Sequence, residues 1–171
     1  PSGAGEIAAS ALSGLEGVRF VTGGATRQES VHLALEEIGP KEAEIVLIHD
    51  AARPVLPRSV VERLIEALHR NHGAIPVLQV IDSLVRADGE TMASSAAREE
   101  LRRVQTPQAF RFAEILAAHR AWSGELNAGD DAQVAQAAGM TIGLVQGDER
   151  MRKLTVEEDF MTDIPSIRVG T

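Results

Sequence analysis

Ile45-Val46-Leu47-Ile48 is the stretch that most limits what this chain can become. Four consecutive apolar residues, mostly β-branched, form the pattern of a strand buried on both faces, as in the interior of a parallel sheet. The run stops at His49-Asp50, and after two alanines come Arg53 and Pro54. Pro54 ends the strand, and Pro57 is suited to the first turn of a helix. Ligands of open α/β sheets sit outside the carboxyl ends of the strands. A carboxylate and a guanidinium therefore stand where a ligand would lie. Taken alone, the same pattern also fits a buried strand closed by a salt-bridged turn.

The rest of the chain alternates in a way that extends this sheet. Glu6 to Leu15 is a weak, Ala-rich helix, and Val18 to Thr22 reads as a short strand broken by Gly23-Gly24. Such a glycine pair lets a backbone approach a ligand closely. Ser30 caps or enters the next helix, whose apolar stripe is Val31, Ala34, Leu35 and Ile38, and Gly39-Pro40 ends it. Ser59 to Arg70 is an amphipathic helix, and Gly73 to Val80 a mostly apolar strand. Strand, helix, strand implies a mostly parallel α/β sheet with helices on its faces.

Ser83 to Ser94 breaks that rhythm. Two short polar strands around Ala87-Asp88-Gly89-Glu90 form a hairpin, which either projects toward another subunit or folds back on its own domain. Arg98, Arg102 and Arg103 follow, the last two read as a solvated helix face. Phe112 to Trp122 is helical, and Gly129-Asp130-Asp131 opens a further helix with a carboxylate at its N-terminus. Thr141 to Val145 is a strand, and Glu157 to Met161 a terminal helix.

The length of 171 residues suits one domain with its own core. A net charge of -8 argues against general binding to nucleic acid or to an anionic membrane, so a phosphate site must be a local basic cluster. No cysteine means no disulfide and no thiolate metal site. His32, His49, His69, His72 and His119 lack metal-ligand spacing, so no zinc site is expected. No apolar run approaches about 18 residues and no signal-peptide pattern is present, which reads as cytoplasmic. Both ends look cut: the chain opens at Pro1, and Ile167 to Thr171 reads as a strand just beginning.

Gly23 and Gly24, Asp50 and Arg53, Asp82 and Ser83, and Lys153 all fall just after expected strands. In a parallel sheet those ends share one edge. Guanidinium binds phosphate through two parallel hydrogen bonds, and lysine acts as a point charge. Asp50 suits ligand hydroxyls, or a metal held together with phosphates. No pattern for nucleophilic catalysis is present. The residues by themselves thus reach a phosphate-ligand α/β domain and no named reaction.

Six segments carry a resemblance. They are Gly23-Gly24-x-x-Arg27-x-x-Ser30-Val31, His49-Asp50-Ala51-Ala52-Arg53-Pro54, Asp82-Ser83-Leu84, Gln105-Thr106-Pro107-Gln108-x-Phe110, Asp130-Asp131-Ala132 and Lys153-Leu154-Thr155. In this order the chain resembles the 2-C-methyl-D-erythritol 4-phosphate cytidylyltransferases of non-mevalonate isoprenoid synthesis. The resemblance implies a Rossmann-like sheet and a homodimer built on the protruding hairpin arm. It implies transfer of CMP from CTP to the methylerythritol phosphate, with Mg²⁺ and release of pyrophosphate. By the same analogy Gly23, Gly24, Ser30 and Ala51 lie near the nucleotide. Asp50, Arg53, Thr106 and Lys153 hold the polyol phosphate, Lys153 acting also in catalysis. Ser83 and Arg98 reach the partner subunit's site.

Some features depart from the family's pattern. Its first strand and Gly-rich, Arg- and Lys-bearing loop are not in this chain, which alone is therefore expected to be inactive. Ser83 stands where Thr is usual, Gly129 where a hydroxyl residue is common and Met151 where Asn is common. Ser166 to Thr171 resembles the opening strand of 2-C-methyl-D-erythritol 2,4-cyclodiphosphate synthase, which implies a cytidylyltransferase domain over 1–163 and the start of a fused second domain over 164–171. Two other readings stay open: a cytidylyltransferase for another polyol phosphate such as ribitol 5-phosphate, and a non-catalytic nucleotide-binding or scaffold domain.

Overall fold

The computed structural model describes residues 5–39, 43–123 and 128–161. The expected strand over 167–171, and with it the domain boundary near 164, lies outside the described residues.

The main sheet is built from β1 (Ile45–Ile48), β2 (Gly73–Gln79), β5 (Arg102–Val104), β6 (Gln108–Arg111) and β7 (Ile142–Gln146). Its order is β1-β6-β2, with β5 continuing along the β6 side of β2 and β7 on the other side. β7 runs parallel to β2, while β6 runs antiparallel to both β1 and β2. Hence β1, β2 and β7 share one direction, and β5–β6 is a bent antiparallel segment beside them. The pattern of the chain did not show that segment. Pro76 sits in β2 where the ladder passes from β6 to β5, and its carbonyl accepts from Gln105 N–H at 2.9 Å. The missing proline donor therefore falls at a break in the ladder, where proline is tolerated.

Alternation along the strands feeds two apolar layers. Val46 and Ile48 of β1, Ile75 and Val77 of β2 and Phe110 of β6 face one layer. That layer is closed by α2 (Arg27–Ile38), α4 (Phe112–Ala121) and α5 (Asp131–Ala137) through Leu35, Ile115, Leu116 and Val134. Ile45, Leu47, Ala74 and Ala109 face the other, closed by Val60, Leu64 and Leu68 of α3 (Arg58–Ala67) and its following turn, and by Met151. Helices on both faces of a sheet are the expected α/β architecture. Two short helices complete the chain, α1 (Gly5–Ala11) and α6 (Glu157–Met161).

Some expectations are corrected. β1 is half-buried and lies at the edge of the described sheet, not in its centre, because β6 is its sole described strand neighbour. Val18 to Thr22 forms no strand; it is exposed and joins no described ladder, and a local β pattern does not by itself supply a neighbouring strand. Arg102 and Arg103 lie on β5 and not on a helix.

The expected pair of strands forms, with a tighter turn, since Ala87 and Asp88 belong to the first strand. Among the described residues β3 (Leu84–Asp88) pairs only with β4 (Thr91–Ala96), and nearly all of both strands is exposed. The turn places Gly89 at φ +56°, a conformation in which glycine carries no steric cost. Among the described residues, no helix is long and apolar enough to cross a membrane.

Candidate functional site

β1 ends in a tight turn that is held from behind. Arg53 N–H donates to the Asp50 carbonyl at 2.9 Å. His49 Nε2 lies 2.9 Å from the Arg53 carbonyl, which can only accept, so the proton is on Nε2. His49 Nδ1 is then the acceptor for the Thr106 hydroxyl at 3.1 Å, and the Thr106 oxygen accepts from Asp50 N–H at 3.0 Å. Thr106 is buried beneath the turn with its hydroxyl used on both sides. Leu154 N–H donates to the Ala52 carbonyl at 2.8 Å, which brings the Met151–Lys153 stretch alongside.

The result is a carboxylate ringed by cations. Lys153 Nζ stands 3.2 Å from Asp50 Oδ2, Arg53 Nε 3.8 Å from the same oxygen, and Arg27 Nη2 3.8 Å from Oδ1. Arg53 is mostly buried, and its Nη1 donates to the Met151 carbonyl at 2.7 Å. Burial pushes the Arg53 guanidinium below its ordinary value, and the Asp50 charge recovers only part of that. Lys153 remains half exposed. The structure thus brings together Asp50, Arg53 and Lys153, with Thr106 behind them and Ala51 in the same turn.

The start of α2 lies next to this cluster. Thr26 caps the helix by accepting from Glu29 N–H, and Ser30 sits in the first turn. The Ser30 hydroxyl accepts from Gly24 N–H at 3.1 Å and donates to the Thr26 carbonyl at 2.9 Å. A side chain at Gly24 would put its first carbon 2.2 Å from Glu29 Cγ, so the Glu29 side chain would have to swing aside to admit one. Gly23 is close to Ser30, whose Oγ lies 2.7 Å from where a Gly23 Cβ would be. Ser30, Arg27, Asp50 and Ala51 line one cavity of about 440 Å³ between α2 and β1. Ser83 and Arg98 are elsewhere, at the base of the hairpin. Arg98 Nη1 donates to the Ile81 carbonyl at 2.5 Å and, with Gln79 and Glu99, lines a separate cavity of about 520 Å³. Within one chain, neither has a described contact with the Asp50 cluster.

Sequence reasoning gave no role to the residues behind Arg27. Arg27 Nη2 hydrogen-bonds Asp131 Oδ2 at 2.7 Å, and Asp131 is fully buried. On its other side, His119 Nε2 stands 3.3 Å from Asp131 Oδ1, outside hydrogen-bond geometry, so that contact is electrostatic and only when His119 is protonated. Burial alone would raise the Asp131 carboxyl, but His119 and the Arg27 guanidinium overrule it and hold it below the ordinary carboxylate range. The signal that could have found this was the doubled acid: Asp130 is the helix cap, accepting from Gln133 N–H at 3.1 Å, which leaves Asp131 free to point inward.

The model of the 2-C-methyl-D-erythritol 4-phosphate cytidylyltransferase family, IspD, matches residues 4–164. The chain belongs to this family. It is 60% identical over 171 residues to the bifunctional enzyme IspD/IspF of Erythrobacter litoralis, a match covering 100% of this chain and 44% of that protein. It therefore spans under half the length of that curated relative. Among solved structures, it is similar to the family member from Thermus thermophilus, with a TM-score of 0.76 and 42% identity over 85% of this chain and 71% of that one. It is also similar to the bifunctional IspDF of Campylobacter jejuni, with a TM-score of 0.73 and 31% identity over 89% of this chain and 38% of that one.

Proposed function

We propose that the protein carrying this IspD chain transfers CMP from CTP to 2-C-methyl-D-erythritol 4-phosphate. The observation that carries the reading is the cluster of Arg53 and Lys153 around the Asp50 carboxylate, in a chain of this family. A phosphate monoester landing there would meet a guanidinium fork and an ammonium, while Asp50 accepts from a polyol hydroxyl. An oxygen of the substrate phosphate forms the new bond to the α-phosphorus of CTP. The bond from that phosphorus to the bridging oxygen breaks, and its electron pair leaves with pyrophosphate. The attacking oxygen is already anionic, so no general base is required. Catalysis then rests on positioning and on stabilising charge.

Ser30 and Ala51, which line the α2–β1 cavity, are assigned to the nucleotide together with Gly23 and Gly24 just before α2. Ser83 and Arg98 are assigned to the partner's site in a homodimer built on the exposed hairpin. Thr106 serves the substrate through Asp50, whose backbone it holds. Mg²⁺ is expected with CTP, but the donor set does not suit it: Asp50 already faces three cations, and the described residues contain no group of metal-ligating side chains. No step is assigned to the ion here. A cytoplasmic setting and a fused cyclodiphosphate synthase domain, as in the IspD/IspF relatives, belong to the same proposal. The test is pyrophosphate release by the full-length protein with CTP and a panel of polyol phosphates. Turnover is expected with the methylerythritol phosphate. Turnover only with ribitol 5-phosphate, or binding of CTP without turnover on any acceptor, would overturn the reading.

A further inference from the structure

From the geometry behind the site, we infer that Asp131 is a positioning residue that holds the Arg27 guanidinium away from Asp50, keeping the Asp50 carboxylate available to substrate. The inference rests on the proposed function for its kinetic consequence, though not for its structural one. Arg27 Nη2 lies between two carboxylates, 2.7 Å from Asp131 and 3.8 Å from Asp50. The nearer one is fully buried, where a charge pair is screened least. Asp131 is itself fixed: it opens α5, and Ala132 N–H next to it donates to the buried Gln108 side chain at 2.9 Å. His119, buried on α4, faces its other oxygen at 3.3 Å. Arg27 is thus tied, across 104 residues of sequence, to a carboxylate on α5 that α4 and β6 flank.

The consequence lies at Asp50. With Arg27 neutralised by Asp131, the Asp50 carboxylate is opposed by Arg53 and Lys153, and the cluster keeps a surplus of positive charge for a phosphate. Without Asp131, the carboxylates left acting on Arg27 are Asp50, already 3.8 Å away, and the helix-capping Asp130. Arg27 would move onto Asp50 as a close ion pair and compete with the substrate hydroxyl for the same oxygens. A residue that served only the core would not have this effect, since its loss would lower stability and both substrate affinities together.

The experiment uses full-length protein and two variants, Asp131→Asn and the double variant Asp131→Asn/Arg27→Gln. Asp131→Asn is expected to raise KM for the polyol phosphate about tenfold, the loss of one charge-assisted hydrogen bond. KM for CTP should change less than about twofold. The double variant removes the displaced guanidinium and should recover most of the lost polyol-phosphate affinity. If the double variant is as impaired as the single one, or if both KM values rise together, the inference is overturned. The ligand-free crystal structure of Asp131→Asn tests it independently of any activity. Arg27 should close on Asp50 to about 2.8 Å, and an Arg27 still 3.8 Å away would refute the tether even if no substrate had been identified. Should Asp131→Asn not fold, the wild-type structure with bound polyol phosphate decides. Arg27 must stay on Asp131; a guanidinium found on Asp50 there would overturn the inference.

Discussion

Replacing Lys153 by alanine separates the two substrates. Its Nζ lies 3.2 Å from Asp50 Oδ2, and its side chain is 48% exposed, against 19% for that of Asp50. A pair that open to solvent contributes little to folding, about 0–1 kcal/mol. At roughly 2–4 °C per kcal/mol for a domain of this size, Tm should fall by no more than about 4 °C. Binding is different, because a bound phosphate would cover the ammonium and shed the water that screens it. A hydrogen bond to a charged group contributes about 1.5–3 kcal/mol. Taking about 2 kcal/mol for a half-exposed amine, kcat/KM for the polyol phosphate should drop about 30-fold. Calorimetric titration with CTP alone should give nearly the wild-type affinity. Loss of CTP binding with polyol-phosphate affinity intact would refute the assignment. A large fall in Tm would refute the structural part, since Lys153 would then be holding the turn.

Other outcomes follow from the same geometry. Arg53→Lys should lower kcat/KM at least about tenfold, because a point-charge ammonium replaces the planar fork that reaches the Met151 carbonyl and can grip a phosphate at two points. Steady-state kinetics check this, with Tm as the control. Thr106→Val should destabilise by about 1–3 kcal/mol, since it strands Asp50 N–H, and Thr106→Ser should restore most of the loss in a urea titration. Asp131 gives an acid limb. Its folded carboxyl is held below the ordinary 3.8, so its stabilising contribution is full above about pH 4 and fades as pH falls through the folded value. Urea midpoints between pH 5 and pH 3 should fall more steeply for wild type than for Asp131→Asn. Equal slopes would contradict the assignment.

Much of the site was legible because it is local. Asp50 and Arg53 follow an apolar run within five residues, and the strand end places both at the cluster. The hairpin was legible for the same reason, as a glycine turn between two short runs. What sequence could not show was long-range. Gln108–Arg111 is a short strand beside Pro107 with no clear alternation, yet it is the antiparallel bridge between β1 and β2. Val18–Thr22 looked like a strand because local pattern cannot say whether a partner exists. Asp130 and Asp131 are equally good helix caps on paper, and packing alone decides which one turns into the core toward Arg27 and His119.

The central claim is that Arg53 and Lys153 hold the phosphate of the polyol substrate and not the triphosphate of CTP. It is tested most directly by a crystal structure of the full-length protein with CTP and 2-C-methyl-D-erythritol 4-phosphate both bound. The account predicts the monoester phosphate oxygens within about 3 Å of the Arg53 guanidinium and Lys153 Nζ, with Asp50 accepting from a hydroxyl of the same molecule. Finding the CTP triphosphate on those two side chains would contradict it.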